Sequence, residues 1–243
     1  TEDIAWRFEV KSFPRLTDAK HMLRNKGKYY TVEEIKELIA YCKERYITLI
    51  PEIDMPGHSA AFKRAMGFDM QSDSGKIVVK QILSEICDTY DVSYVHIGSD
   101  EVRIKDTSFV PEMTRLLEAR GKKVIGWQPG GNFSLTTIRQ LWREDANRSF
   151  IVEGVPYIDS RHLYLNHHDP EESTVTIFNR KIANRQQGDQ FALGAILCLW
   201  HDRNVGREDD VLKMNPVYPG MLAFAERIWR GGGQAKWIAN VSD

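Results

Sequence analysis

The chain carries almost no net charge, few cysteines and no long apolar run, and each scarcity removes a class of function. Its 243 residues hold 33 Lys and Arg against 34 Asp and Glu, a net charge of −1. The basic residues are scattered, so no field exists to gather nucleic acid or an anionic membrane surface. The three cysteines, Cys42, Cys87 and Cys198, stand far apart in apolar runs. That spacing predicts buried thiols instead of a disulfide or zinc framework, and it leaves the redox compartment open. No stretch reaches the roughly 18 apolar residues of a membrane span, and the segment after Thr1 has no secretory pattern. No Gly-rich phosphate loop follows a strand, and no low-complexity tract or linker interrupts the chain. A single domain over 1–243 is expected, with Gly231-Gly-Gly233 as a loop.

What is present is the composition of a soluble globular protein, 42% hydrophobic and 28% charged, sufficient to bury a sizeable core. Thr31-Val-Glu-Glu34 is a capping box, and Ile35, Leu38, Ile39 and Cys42 follow at helical spacing. The apolar run Ile47–Asp54 then reads as a strand stopped by Pro56-Gly57. The alternation recurs: a stripe at Val79, Ile82, Leu83 and Ile86 precedes Val92–Ile97, and Met113, Leu116 and Leu117 precede Gly121 and Lys123–Trp127. With Ile4–Glu9, Arg139–Trp142, His162–Leu165 and Leu193–Trp200, the strand candidates number seven. Strands alternating with helices imply an α/β fold with a parallel sheet, either a (β/α)8 TIM barrel or an open doubly wound sheet. The strands end repeatedly in Asp, His, Trp or Asn, as chemistry at the C-terminal rim of a barrel requires. The expectation is a (β/α)8 barrel lacking its first strand in this chain, because Thr1 opens onto what reads as a strand.

Candidate chemistry concentrates in Val95-His-Ile-Gly-Ser-Asp-Glu101, where an aliphatic strand runs through His96, bends at Gly98 and delivers Asp100 and Glu101. An isolated Asp-Glu pair is ordinarily a solvated surface feature; a second rim position changes the balance. Ile50-Pro-Glu-Ile-Asp-Met-Pro-Gly-His58 brings Glu52, Asp54 and His58 to another strand end. Aromatic residues mark the others: Trp127, Trp142, Tyr164 and Trp200. Indoles offer flat apolar faces to a pyranose, while carboxylates and amides bond its hydroxyls.

These segments resemble family 20 glycoside hydrolases, the β-N-acetylhexosaminidases. The matching motifs, in the family's order, are Ile4-Ala-Trp-Arg-Phe-Glu9, Tyr29–Glu34, Pro51–His58, His96–Glu101, Gly126-Trp127, Tyr164-Leu-Asn166, Leu199-Trp200 and Ala225–Trp229. The resemblance implies an exo-acting retaining enzyme whose substrate's own acetamide is the nucleophile. It assigns proton transfer to Glu101, acetamide orientation to Asp100 and a hydrogen bond to the acetamide carbonyl to Tyr164. Trp127, Trp142 and Trp200 would wall the sugar site, with Asn166 and Asp202 at its hydroxyls. His58, backed by Glu2 or Asp3, would support the acid, and Asp54 and His96 would support the Asp100-Glu101 loop. A sugar-binding arginine is expected from a strand ahead of Thr1. No metal or cofactor is implied: His167 and His168 are neighbours, not an i, i+4 pair.

Chemistry independently favours splitting the roles of the acidic pair. A conventional retaining pair stands about 5–5.5 Å apart across the scissile bond, which consecutive residues are poorly placed to supply. The partner that the resemblance implies is a glycan ending in N-acetylglucosamine or N-acetylgalactosamine, and the resemblance alone suggests a secreted, periplasmic or lysosomal-type compartment. Asparagine at 166, where many members carry aspartate, lowers repulsion toward a 6-sulfate. Release of a disaccharide such as lacto-N-biose, and a non-catalytic sugar-binding barrel, are the alternative readings.

Overall fold

The computed structural model describes residues 3–146, 149–165, 169–200 and 217–231. The chain divides into two compact units, Thr1–Ile138 and Arg139–Asp243.

In the first unit the capping box forms as expected. Thr31 Oγ1 accepts from the Glu34 backbone at 3.2 Å, the Glu34 carboxylate accepts the Thr31 N–H at 2.8 Å, and helix α1 runs Val32–Lys43. Ile35 and Ile39 pack against the core, but Leu38 faces outward at 42% exposed, so the expected stripe is only partly covered. Helix α2, Ala60–Met66, buries Ala61, Phe62 and Ala65. Helix α3, Asp73–Thr89, is capped by Ser72 and buries the full stripe Val79, Ile82, Leu83 and Ile86. Strand β1 is Tyr94–His96, helix α4 is Phe109–Ala119, and strand β2 is Lys123–Gln128. β1 and β2 pair in parallel, His96 opposite Ile125. The core gathers Trp6, Ile53, Phe62, Val95, Ile97, Phe109 and Met113, where each large apolar side chain contributes about 1.5–3 kcal/mol by leaving water.

Two expected strands of this unit are shorter than the sequence reading has them. Ile47–Asp54 makes one parallel bridge, Glu52 to His96. It is flanked by ladder bonds from Ile53 N–H to the His96 carbonyl (2.9 Å) and from Met55 N–H to the Ile97 carbonyl (3.1 Å). Pro51 has no N–H to continue the ladder. Ile4–Glu9 makes one bridge, Phe8 to Tyr30. Its Arg7 guanidinium donates instead to the carbonyls of Arg24, Asn25 and Lys28.

In the second unit β3 (Ile138–Leu141), β4 (Tyr157–Asp159) and β5 (Ala192–Ala195) pair in parallel in that order. Helices α5, Pro170–Asn179, and α6, Val217–Arg230, pack on one another. Strand β4 is absent from the sequence reading because it is three residues long and lies between Pro156 and a polar turn. Its last residue, Asp159, is fully buried. Burial works to raise that carboxyl, but Arg161 at 2.8 Å and Arg180 at 3.0 Å hold it below the usual carboxylate range. The expected strand His162–Leu165 is reduced to one bridge, Tyr164 to Cys198. Among the described residues no helix is long and apolar enough to cross a membrane.

Candidate active site

Three neighbouring segments of the first unit end side by side. Glu52 bridges His96, which brings Asp54 level with the bend at Gly98. β2 continues alongside, and the Trp127 backbone N–H donates to the Gly98 carbonyl at 3.0 Å. Glycine at 98 is required twice over. Its φ is +61°, and a Cβ there would stand 2.0 Å from Asp54 Oδ1. The chain beyond it stays in the left-handed region at Ser99 (φ 75°) and Glu101 (φ 49°), and so does the facing His58 (φ 42°). Each such non-glycine residue costs about 1–3 kcal/mol, held by its surroundings. Here Asp54 Oδ1 accepts the Ser99 N–H at 3.0 Å, and the Ser99 hydroxyl donates to the Met55 carbonyl.

His58 links the acidic side chains. Its Nε2 lies 3.5 Å from Glu101 Oε2 and 3.9 Å from Asp100 Oδ2, and its Nδ1 lies 4.0 Å from Asp3 Oδ2. Asp3 is fixed from behind: its Oδ1 accepts the Ala60 N–H at 2.9 Å, and Arg64 donates to the carbonyls of Asp3 and Ile4 at 2.6 and 2.9 Å. Of the two acidic residues expected behind His58, Asp3 is the one within the described residues. His96 Nδ1 accepts the Gly98 N–H at 3.0 Å, so His96 supports the bend directly.

Exposure grades steeply across the cluster. Asp54 is 5% exposed, the Asp100 side chain 17% and the Glu101 side chain 58%. Burial, reinforced by the Asp100 charge and opposed by the Ser99 N–H, lifts the Asp54 carboxyl to about 7. Burial also raises Asp100, with the charges of Glu52 and Glu101 adding and His58 opposing. In the free protein desolvation thus falls on Asp54 and Asp100, and Glu101 is the member that meets solvent. Asp100 Oδ1 is buried and accepts no hydrogen bond among the described residues. One ligand atom each from Asp54, His58 and Asp100 lie within 4.8 Å of one another.

Glu52 is a member to which the motif reading gave no role. Its Oε1 accepts the Trp127 indole N–H at 2.8 Å and lies 3.3 Å from His96 Nδ1. Burial works to raise its carboxyl, but His96 and the indole N–H outweigh it and hold the group below its ordinary range. No sequence spacing marks the link, since Glu52 and Trp127 stand 75 residues apart.

The structure therefore brings Asp3, Asp54, His58, His96, Asp100, Glu101 and Trp127 together in one unit. Of the remaining candidates, Trp142 is half-buried just past β3, with the Arg143 guanidinium 6.0 Å from its ring centre. Tyr164 is half-buried in its bridge to Cys198, and half-buried Trp200 follows two residues later. Asn166 and Asp202 lie outside the described residues, as do Glu2, His167 and His168.

Comparison with known proteins finds relatives in both sequence and fold. Residues 1–76 match the family described as glycosyl hydrolase family 20, catalytic domain. A beta-hexosaminidase of Porphyromonas gingivalis is 28% identical over 301 aligned residues, which cover 94% of this chain and 38% of that protein. A second beta-hexosaminidase, from Vibrio furnissii, is 29% identical over 204 residues, covering 58% of this chain and 33% of its own. The chain therefore spans only a part of the length of these relatives. The crystal structure of a beta-N-acetylhexosaminidase from Bacteroides fragilis superposes with a TM-score of 0.82 at 26% identity, over 98% of this chain and 59% of that one. An exo beta-N-acetylglucosaminidase from Vibrio harveyi, 22% identical, shares the fold with a TM-score of 0.79, over 100% of this chain and 50% of that one. The fold class is the (β/α) barrel of these neighbours. With its motifs in order and its acidic residues gathered at adjoining strand ends, the chain is similar to glycoside hydrolase family 20 catalytic domains, whose family model its residues 1–76 match.

Proposed function

We propose that the chain supplies the catalytic machinery of a retaining exo-β-N-acetylhexosaminidase acting by substrate assistance. The observation that carries the reading is the pairing of two unlike carboxyls on one loop. Asp100 holds a buried acceptor oxygen with no donor among the described residues, while Glu101 is largely exposed and faces His58 at 3.5 Å. The acetamide N–H of a terminal N-acetylhexosamine is the donor that Asp100 lacks. Its carbonyl oxygen then attacks the anomeric carbon, and the C–O bond to the leaving group breaks as Glu101 transfers its proton to the departing oxygen. The product is a cyclic oxazolinium whose positive charge Asp100 offsets. Water, deprotonated by Glu101, opens that ring at the anomeric carbon, and two inversions give net retention.

Asp54 has a defined place in this scheme. With its carboxyl near 7, it holds a proton under mildly acidic conditions, so the cluster need not carry a second buried negative charge when Asp100 ionises. As the positive charge develops, Asp100 becomes more acidic than in the free protein. The indole of Trp127 borders the same loop, and for Trp142, Tyr164, Trp200, Asn166 and Asp202 the roles rest on the sequence motifs. By the same motifs a 6-O-sulfated N-acetylglucosamine is an additional substrate.

Comparing an aryl N-acetyl-β-glucosaminide with the aryl β-glucoside tests the reading. Only the acetamide-bearing substrate should turn over, the first-formed sugar should be the β-anomer by NMR, and Asp100→Asn should lower kcat by about 10²–10³. Equal hydrolysis of the two glycosides, or an α-anomer as first product, would sink it.

A further inference from the structure

Half-buried Glu52 and buried His96 are two titratable side chains that the reaction as written does not use. Their geometry gives them a shared object, the Trp127 indole. The Glu52 carboxylate accepts the indole N–H at 2.8 Å, and the His96 ring stands over the same indole with centroids 4.9 Å apart at 58°. His96 lies 3.3 Å from Glu52 through the nitrogen that also accepts the Gly98 N–H. One carboxylate therefore touches both a ring of the sugar site and the histidine that anchors the bend before Asp100 and Glu101.

The indole has little freedom apart from this tether. Trp127 is 4% exposed, so only a narrow strip of the ring can meet a ligand, and a small rotation about its side-chain bonds would withdraw it. A charge-assisted hydrogen bond is about twice as strong as a neutral one and directional, which suits it to fixing a ring edge-on. Glu52 itself is anchored by its backbone bridge to His96 at the end of β1.

We propose that Glu52 is a positioning residue, which holds the Trp127 indole in register with the Gly98–Glu101 bend so that an aminosugar meets a preformed surface. The proposal rests on the reading of this site as an N-acetylhexosamine site. It assigns Glu52 no contact with substrate and no proton transfer. Its signature is a loss of binding complementarity that disappears once the indole N–H is gone.

The test is a double-mutant cycle on the full-length protein, read by KM for an aryl N-acetyl-β-glucosaminide and by the inhibition constant of a thiazoline analogue of the oxazolinium. Glu52→Ala and Trp127→Phe should each weaken thiazoline binding about tenfold, and the double variant no further than either alone within about twofold. Glu52→Gln keeps an acceptor oxygen for the indole and should restore binding to within about threefold of wild type. Should Glu52→Ala fail to fold, Glu52→Gln in the Trp127→Phe background carries the cycle, with no added loss expected. Losses that multiply across the cycle, or a folded Glu52→Ala with unchanged inhibition, would overturn the proposal. A wild-type protein that hydrolyses no N-acetylhexosaminide would instead overturn the functional reading beneath it.

Discussion

The Asp54→Asn substitution removes a carboxyl whose proton affinity burial raises, and that burial sets the sign of the effect and bounds its size. The native carboxyl sits at about 7, against an ordinary 3.8. Between those values the native state keeps a proton that the unfolded chain releases, so wild-type stability falls as pH rises through that window and levels off above it. At about 1.36 kcal/mol per pH unit the rise corresponds to roughly 4 kcal/mol as an upper limit, since the coupled Asp100 takes up part of it. The amide of the variant has no charge to desolvate, and its side-chain carbonyl can still accept the Ser99 N–H that Asp54 Oδ1 accepts at 3.0 Å. For a chain of this length about 1 kcal/mol moves Tm by about 2–4 °C. Thermal denaturation of both proteins from pH 5 to pH 8 should therefore show the variant gaining on wild type by up to roughly 10 °C toward the alkaline end. A Tm difference that stays flat across the window would refute the placement of the proton on Asp54.

Other consequences are equally direct. Gly98→Ala places a Cβ 2.0 Å from Asp54 Oδ1 at a backbone φ of +61°. It should cost at least about 1–3 kcal/mol of stability, by denaturant titration, together with most of the turnover; a variant with wild-type stability and activity would contradict the packing of the bend. On the motif-based proposal that asparagine at 166 permits a 6-sulfate, Asn166→Asp should lower the ratio of kcat/KM for sulfated over plain aryl N-acetylglucosaminides by about tenfold. An unchanged ratio removes the basis for sulfate acceptance.

Much of the acidic cluster was legible because its residues lie in two short runs, Pro51–His58 and His96–Glu101, whose alternation of aliphatic and polar residues already implies a strand end. Helix α3 was legible for a related reason: its stripe at Val79, Ile82, Leu83 and Ile86 is buried without exception. Strand lengths were not. Hydrophobicity over Ile47–Asp54 signals burial, yet ladder formation depends on a partner, and among the described residues only Glu52 of this run makes a bridge. β4 escaped notice because three residues carry no measurable period. The Glu52 tether to Trp127 was invisible because nothing local couples residues so far apart, and Leu38 faces solvent because periodicity identifies an apolar face without identifying what covers it. The distribution of burial between Asp54, Asp100 and Glu101 is likewise a tertiary property. Adjacent carboxyls announce repulsion, and only the packing around Gly98 decides which of them loses water.

The division of labour between Asp100 and Glu101 is tested most directly by the leaving-group dependence of Glu101→Gln. A residue that gives its proton to the departing oxygen is needed most when that oxygen is basic. Across aryl N-acetyl-β-glucosaminides, kcat/KM of the variant should fall by about 10²–10⁴ for alkoxide-like phenols and remain close to wild type for dinitrophenol. A loss of the same size for every leaving group would contradict the assignment of Glu101 as the acid.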